Sequence, residues 1–76
     1  MEDLIKAIAL SLVDNPDEVS VTTLERNGET IIELKVSNTD MGKVIGKQGR
    51  IAKAIRTVVK AAAINAEKRV NVEIVQ

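Results

Sequence analysis

The sequence predicts an α+β domain of two layers, a three-stranded mixed sheet with helices on one face, in the order α-β-β-α-α-β. Three observations carry this reading. Two alternating runs, about 18–26 and 29–37, are joined by Asn27-Gly28. Helical apolar spacing occupies the stretch before them and a longer stretch after them, the latter broken at Gly46–Gly49. A last alternating run covers about 70–75. Seventy-six residues accommodate one small core, so a single domain over 1–76 is expected.

Residues 2–13 read as a helix with Leu4, Ile5, Ile8 and Leu12 on one face. Asp14, Asn15 and Pro16 end it, because proline cannot extend the ladder and disfavours helix just before itself. Asn-Gly is the preferred dipeptide of a type I′ hairpin, since both central residues need positive φ. That turn sets a register of Val19 with Val36, Val21 with Leu34 and Thr23 with Ile32 on one apolar face. The other face pairs Ser20 with Lys35 and Thr22 with Glu33, and Arg26 meets Glu29 beside the turn.

Thr39 or Asp40 is the expected N-cap of a short helix through Ile45. A long helix follows to about Glu67, with Ile51, Ile55, Val58 and Ala62 as its core seam. Its wider apolar arc spans roughly 200°, more than a one-sided helix needs. Ala52, Val59 and Ala63 form a small-residue flank, read either as plain helix formers or as a self-association surface. Ile64 falls on the basic stripe of Lys53, Arg56 and Lys60 and is expected to be exposed. In the final strand Val70, Val72 and Ile74 alternate with Asn71 and Glu73. Two helices separate the second and third strands, which are therefore expected to be parallel with a right-handed crossover.

Composition narrows the chemistry. The chain has no cysteine and no histidine, so it lacks thiolate zinc sites, disulfides and the commonest general base. No metal, cofactor or catalytic group is expected. Glu2 and Asp3 stand where a secretory signal would be basic, and the default expectation is a cytoplasmic protein. Eleven basic and eleven acidic residues cancel overall, yet segment 41–66 carries +6 with no acid and the remainder −6. A concentrated basic stretch on a neutral protein attracts a polyanion locally and orients its approach.

That segment includes Met41-Gly-Lys-Val-Ile-Gly-Lys-Gln-Gly-Arg50, a tight glycine turn opening onto a helix N-terminus, which is the chemistry of a phosphate site. Two nucleotide loops are excluded by spacing. A Walker A loop needs four residues between its glycines, then Lys and Ser or Thr; Gly42 and Gly46 have three between, and Gln48 stands at the hydroxyl position. A dinucleotide loop needs glycine two residues before Gly46, where Val44 stands. Glycine at 46 and 49 lets a sugar-phosphate chain come close to the backbone. The helix start favours an anion. Lys47 and Arg50 add charge-assisted contacts, and Lys43 and Lys53 extend the field.

Val44-Ile45-Gly46-Lys47-Gln48-Gly49-Arg50-Ile51 resembles the G-x-x-G signature of the KH domain, and the element order over the whole chain is similar to the type II, bacterial, KH arrangement. The chain is similar to small single-KH RNA-binding proteins of bacteria. The resemblance implies that the loop clamps the backbone of about four nucleotides of single-stranded RNA. It implies RNA-binding roles for Lys43, Ile45, Gly46, Lys47, Gln48, Gly49, Arg50 and Lys53. Ile45 would floor a base groove walled by Arg69 and Asn71, although Val44, Ile45 and Ile51 are expected to be mainly core. Arg56 and Lys60 read as a solvated or steering face. The resemblance further implies a homodimer or a complex with a larger KH protein, an RNA-chaperone or post-transcriptional role, and a link to cell-envelope and cell-length control.

The absence of Phe, Tyr and Trp excludes the stacking platforms of RRM and OB-type binders, so binding rests on phosphates, shape and a few base-edge bonds. Two rival classes use other residues. Glu33 and Glu73 on neighbouring strands could serve acid–base chemistry, but on the sheet face away from the helices and without a cleft. A dimerisation scaffold with a vestigial glycine loop would use the alanine-rich helix instead.

Overall fold

A computed structural model describes residues 1–65 and 69–76. Its elements are α1 (Glu2–Leu12), β1 (Ser20–Arg26), β2 (Glu29–Lys35), α2 (Met41–Ile45), α3 (Arg50–Asn65) and β3 (Val70–Val75), with 3₁₀ turns at Pro16–Glu18, Asn38–Asp40 and Lys47–Gly49. The expected extension of the long helix to Glu67 lies outside the described residues.

The sheet order is β1-β2-β3. β1 and β2 pair antiparallel with Val21 opposite Leu34, Thr23 opposite Ile32 and Arg26 opposite Glu29, the register set by the turn. Asn27 and Gly28 take φ of 54° and 78°, as a type I′ turn requires. Regular pairing is shorter than expected, stopping at Ser20 and Lys35, because the Pro16–Glu18 turn occupies the start of the first run. Val19 and Val36 flank the ladder and are buried. β2 and β3 are parallel, with Ile32 opposite Val72. One sheet face therefore carries Ile32, Leu34, Val70 and Val72 into a core completed by Ile5 and Ala9 of α1, Val44 of α2 and Ile55 and Val59 of α3.

Two helical seams differ from those expected. In α1 the fully buried pair is Ile5 and Ala9, whereas Leu4 is 43 % exposed. Leu4 lies one residue, about 100°, from Ile5 and so falls off the seam. In α3 the buried residues are Ala52, Ile55, Val59 and Ala63, with Ile51 and Ala62 half-buried and Val58 44 % exposed. The helix is thus turned by about one position, with its smaller side chains toward the sheet, where they permit close approach. The small-residue flank of Ala52, Val59 and Ala63, open to either reading, is consumed by the molecule's own core and is not a self-association surface. Ile64 is exposed, as expected.

Asp40 occupies the N-cap position of α2, as expected, but its side chain makes no capping bond to that helix. Ser37 caps the preceding turn, accepting from the Thr39 N–H at 3.4 Å. The Asp40 side chain, 1 % exposed, instead accepts the N–H groups of Asp14 (3.1 Å) and Asn15 (3.0 Å) and the Asn15 amide (3.0 Å). It therefore ties the end of α1 to the start of α2. Burial pushes its carboxyl up, but the two backbone donors, the Asn15 amide and the Lys43 ammonium together outweigh this and hold it below its ordinary value.

α2 ends at Gly46, whose φ of 79° and ψ of 172° lie in a region that glycine alone enters readily. A Cβ there would stand 2.6 Å from Cγ1 of Ile51. This close contact holds the first turn of α3 against the end of α2.

Two stability predictions follow from these junctions. Gly46→Ala loses about 3 kcal/mol or more, combining a glycine-only backbone with overpacking. Gly49→Ala, at φ 75° but facing open space, loses only about 1–2 kcal/mol. Urea unfolding ranks them, and equal losses would overturn the Ile51 contact as the cause. For Asp40 the folded carboxyl titrates low, so its stabilisation is present above the ordinary carboxylate range and lost as pH falls through it. Asp40→Asn turns an amide toward a backbone donor and lowers the thermal midpoint at pH 7 by about 5 °C or more. It also flattens the decline in stability as pH falls below the ordinary carboxylate range; an unchanged decline would exclude Asp40 from acid unfolding.

Candidate nucleic-acid interface

The break between α2 and α3 is a single 3₁₀ turn in which three residues hold positive φ: Gly46 at 79°, Gln48 at 57° and Gly49 at 75°. The Gly49 N–H donates to the Gly46 carbonyl at 3.1 Å, closing the turn. Lys47 and Gln48 project as its exposed tip. The two glycines serve different needs, which the shared motif does not distinguish. Gly46 is required by packing, whereas a Cβ at Gly49 would meet nothing within 4 Å. Gly49 therefore leaves a bare patch of backbone at the start of the 16-residue α3, where the helix carries about half a positive charge. A phosphate oxygen can approach there without meeting a side chain. The left-handed backbone of Gln48 had no signal in the sequence, since glutamine is not a residue that favours it.

The cations around the loop differ in freedom. The Lys43 ammonium bonds the Asp14 carboxylate and lies 4.0 Å from that of Asp40. The Asp14 hydrogen bond raises its pKa, desolvation opposes this, and the charges of both carboxylates add to the rise. Lys43 is thus anchored to the end of α1. Lys47, Arg50 and Lys53 are exposed and make no ion pair among the described residues.

Lys53, Arg56, Lys60 and Ile64 recur at intervals of three and four and share one flank of α3. Arg56 is not merely solvated: its Nε donates to the Val72 carbonyl at 3.3 Å. The Thr30 and Val36 N–H groups donate to the carbonyls of Arg69 and Val75, so odd-numbered residues of β3 bond toward β2. Even-numbered residues, Val72 among them, direct their backbone polar groups to the free edge. The basic flank of α3 and the free edge of β3 therefore lie side by side, bridged by Arg56, and a groove opens between them around Lys60, Ile64 and Arg69. The spacing of the flank was visible in the sequence, but the Arg56 partner was not, because it lies across the fold.

Ile45 is half-buried and neither belongs to the core cluster, as Val44 does, nor packs against it, as Ile51 does, so the expectation that it is mainly core is corrected. Asn71 borders the far end of the groove, and its amide donates to Glu29. Arg69 is exposed at the far end of the groove. Glu33 and Glu73 are direct partners across β2 and β3. Among the described residues no group of three or more potential metal ligands occurs, and no helix is long and apolar enough to cross a membrane.

The chain matches the family model for the KH domain of KhpA and KhpB over residues 2–74. It is 63 % identical over 75 residues to the RNA-binding protein KhpA of Caldanaerobacter subterraneus subsp. tengcongensis, covering 99 % of this chain and 100 % of that one. The KhpA of Clostridium acetobutylicum is likewise 63 % identical over the same shares, and that of Listeria monocytogenes serovar 1/2a is 49 % identical over the full length of both chains. No solved structure gives a significant match. The element order and mixed sheet are those of a type II KH fold. Matched almost end to end in sequence, the chain belongs to the non-enzymatic KhpA/KhpB family of KH domains.

Proposed function

We propose that this protein binds single-stranded RNA by holding the sugar-phosphate backbone against the Gly46–Gly49 loop. The observation that carries the reading is the bare backbone at Gly49, set at the start of α3 within an acid-free stretch of charge +6. The printed name of its relatives, RNA-binding protein KhpA, supports the same ligand. Lys47, Arg50 and Lys53 neutralise phosphates, Gln48 contributes from the tip, and Lys43 exchanges its Asp14 partner for RNA. Ile45 offers an apolar floor for a base. With no aromatic residue for stacking, one domain binds weakly and with loose specificity. This suits a cytoplasmic RNA chaperone or post-transcriptional regulator working as a homodimer or with a KhpB-like partner, in a family linked to cell-envelope and cell-length control.

The partner surface we assign is the apolar groove of about 240 Å³ between α1 and α3, where Ile8, Ile51, Ala54 and Val58 meet. It lies on the flank of α3 away from Lys53, Arg56 and Lys60 and shares Arg50 with the RNA surface, so a partner seated there leaves the other cations open to RNA.

Lys47→Asp with Gln48→Asp weakens binding to a short single-stranded RNA by about tenfold or more, roughly 1.4 kcal/mol, with no loss of helical signal. Aspartate tolerates the left-handed position at 48. Unchanged affinity would remove the loop as the site. In the same titration the slope of log affinity against log salt is about −1.5 to −3, from two to four phosphates at ~0.7 each; a slope near zero excludes the clamp. Val58→Glu, on a half-exposed position, converts a dimer to monomer in sedimentation equilibrium, and a dimer that persists moves the interface elsewhere.

A further inference from the structure

At the opposite end of α3 from the glycine loop, Lys60, Ile64, Arg69, Asn71 and Glu29 border a concavity of about 310 Å³. It continues the basic flank that starts at the loop. From Arg50 to Ile64 the helix advances about 21 Å, at ~1.5 Å per residue. The Arg56 bond to the Val72 carbonyl holds the middle of that flank against the β3 edge, so one surface leads from loop to concavity.

The chemistry of the concavity is specific. Ile64 is 74 % exposed, more than any other large apolar side chain among the described residues. It stands among the two cations Lys60 and Arg69, neither ion-paired among the described residues. On the facing rim the Asn71 amide donates to one Glu29 carboxylate oxygen. That leaves the second Glu29 oxygen and the Asn71 carbonyl oxygen as acceptors. An apolar platform, two cations unpaired among the described residues and a pair of acceptors match the parts of one nucleotide: a base face, its phosphates and an exocyclic amino group.

We infer that this concavity is a second nucleotide subsite on the same RNA strand, beyond the nucleotides clamped by the loop. The base lies on Ile64, and Lys60 and Arg69 hold the flanking phosphates. Glu29 and Asn71 accept from an exocyclic amino group, as carboxylates do from the cytosine N4, and so favour cytosine or adenine over uracil. Basic charge along the whole flank makes the strand leaving the loop the occupant, in preference to an acidic protein segment. The inference rests on the proposal that the loop binds RNA.

The test is anisotropy titration of oligocytidylates of four and eight nucleotides across a salt series. For the wild-type protein the octamer binds about tenfold or more tighter than the tetramer, and its salt slope is steeper by about 1.4, for two further phosphates. Lys60→Gln with Arg69→Gln, both exposed and expected to leave the unfolding midpoint unchanged, abolishes that increment and leaves tetramer binding as it was. An octamer of uridylate shows a smaller gain than one of cytidylate. The subsite is overturned if the double variant weakens tetramer and octamer by the same factor, which is diffuse attraction, or if the octamer increment survives. Lys47→Asp with Gln48→Asp separates the two readings. Intact tetramer binding in that variant removes the loop clamp, whereas survival of the octamer increment in Lys60→Gln with Arg69→Gln removes only the distal subsite.

Discussion

The lack of a Cβ at position 46 is the constraint on which the arrangement of α2, α3 and everything they position depends. Ile51 fills the space that any other residue would need, with its Cγ1 2.6 Å from where a Cβ would be. The contact brings the first turn of α3 against the end of α2 and forces the chain through three positive-φ residues within four positions. The exposed tip at Lys47 and Gln48, the bare backbone at Gly49 and the start of α3 are consequences of that one close approach. The proposed phosphate site and a packing contact thus share a four-residue turn. The site is preorganised, because its geometry is held by the core rather than by the ligand.

The sheet decides what the rest of α3 can do. Parallel pairing of β2 with β3 obliges the chain to cross over through both helices, and α3 packs its smaller side chains on the sheet. One flank then faces the free edge of β3 and carries the cations; the other faces α1 and carries Ile51, Ala54 and Val58. A helix with an apolar arc too wide for a single neighbour is explained by this division. Part of the arc is core, and part borders an open groove.

Charge follows the same division. The neutral total hides a basic face along the loop and α3, with acids placed on α1, the hairpin and the outer sheet face. One acid, Asp40, is spent inside the fold, where its carboxylate satisfies the backbone at the end of α1. Lys43, although part of the basic stretch, is held by Asp14 at this junction. It serves the fold as well as the field, and a ligand must compete for it.

Local chemistry made much of this legible in the sequence. Asn27-Gly28 determined the hairpin and its register, because only a turn with two positive φ values matches the twist of the strands. Alternation located β3, Pro16 located the end of α1, and the glycine loop with its flanks located the candidate site. Three things were decided by tertiary structure. The choice between overlapping seams, Ala52-Ile55-Val59-Ala63 rather than Ile51-Ile55-Val58-Ala62, depends on how closely the sheet lets the helix approach, and periodicity cannot separate stripes that share Ile55. The partners of Asp40, Arg56 and Asn71 lie across the fold, so residue type alone could not reveal them. The motif supplied both glycines, but only packing distinguished the one that Ile51 requires from the one left open.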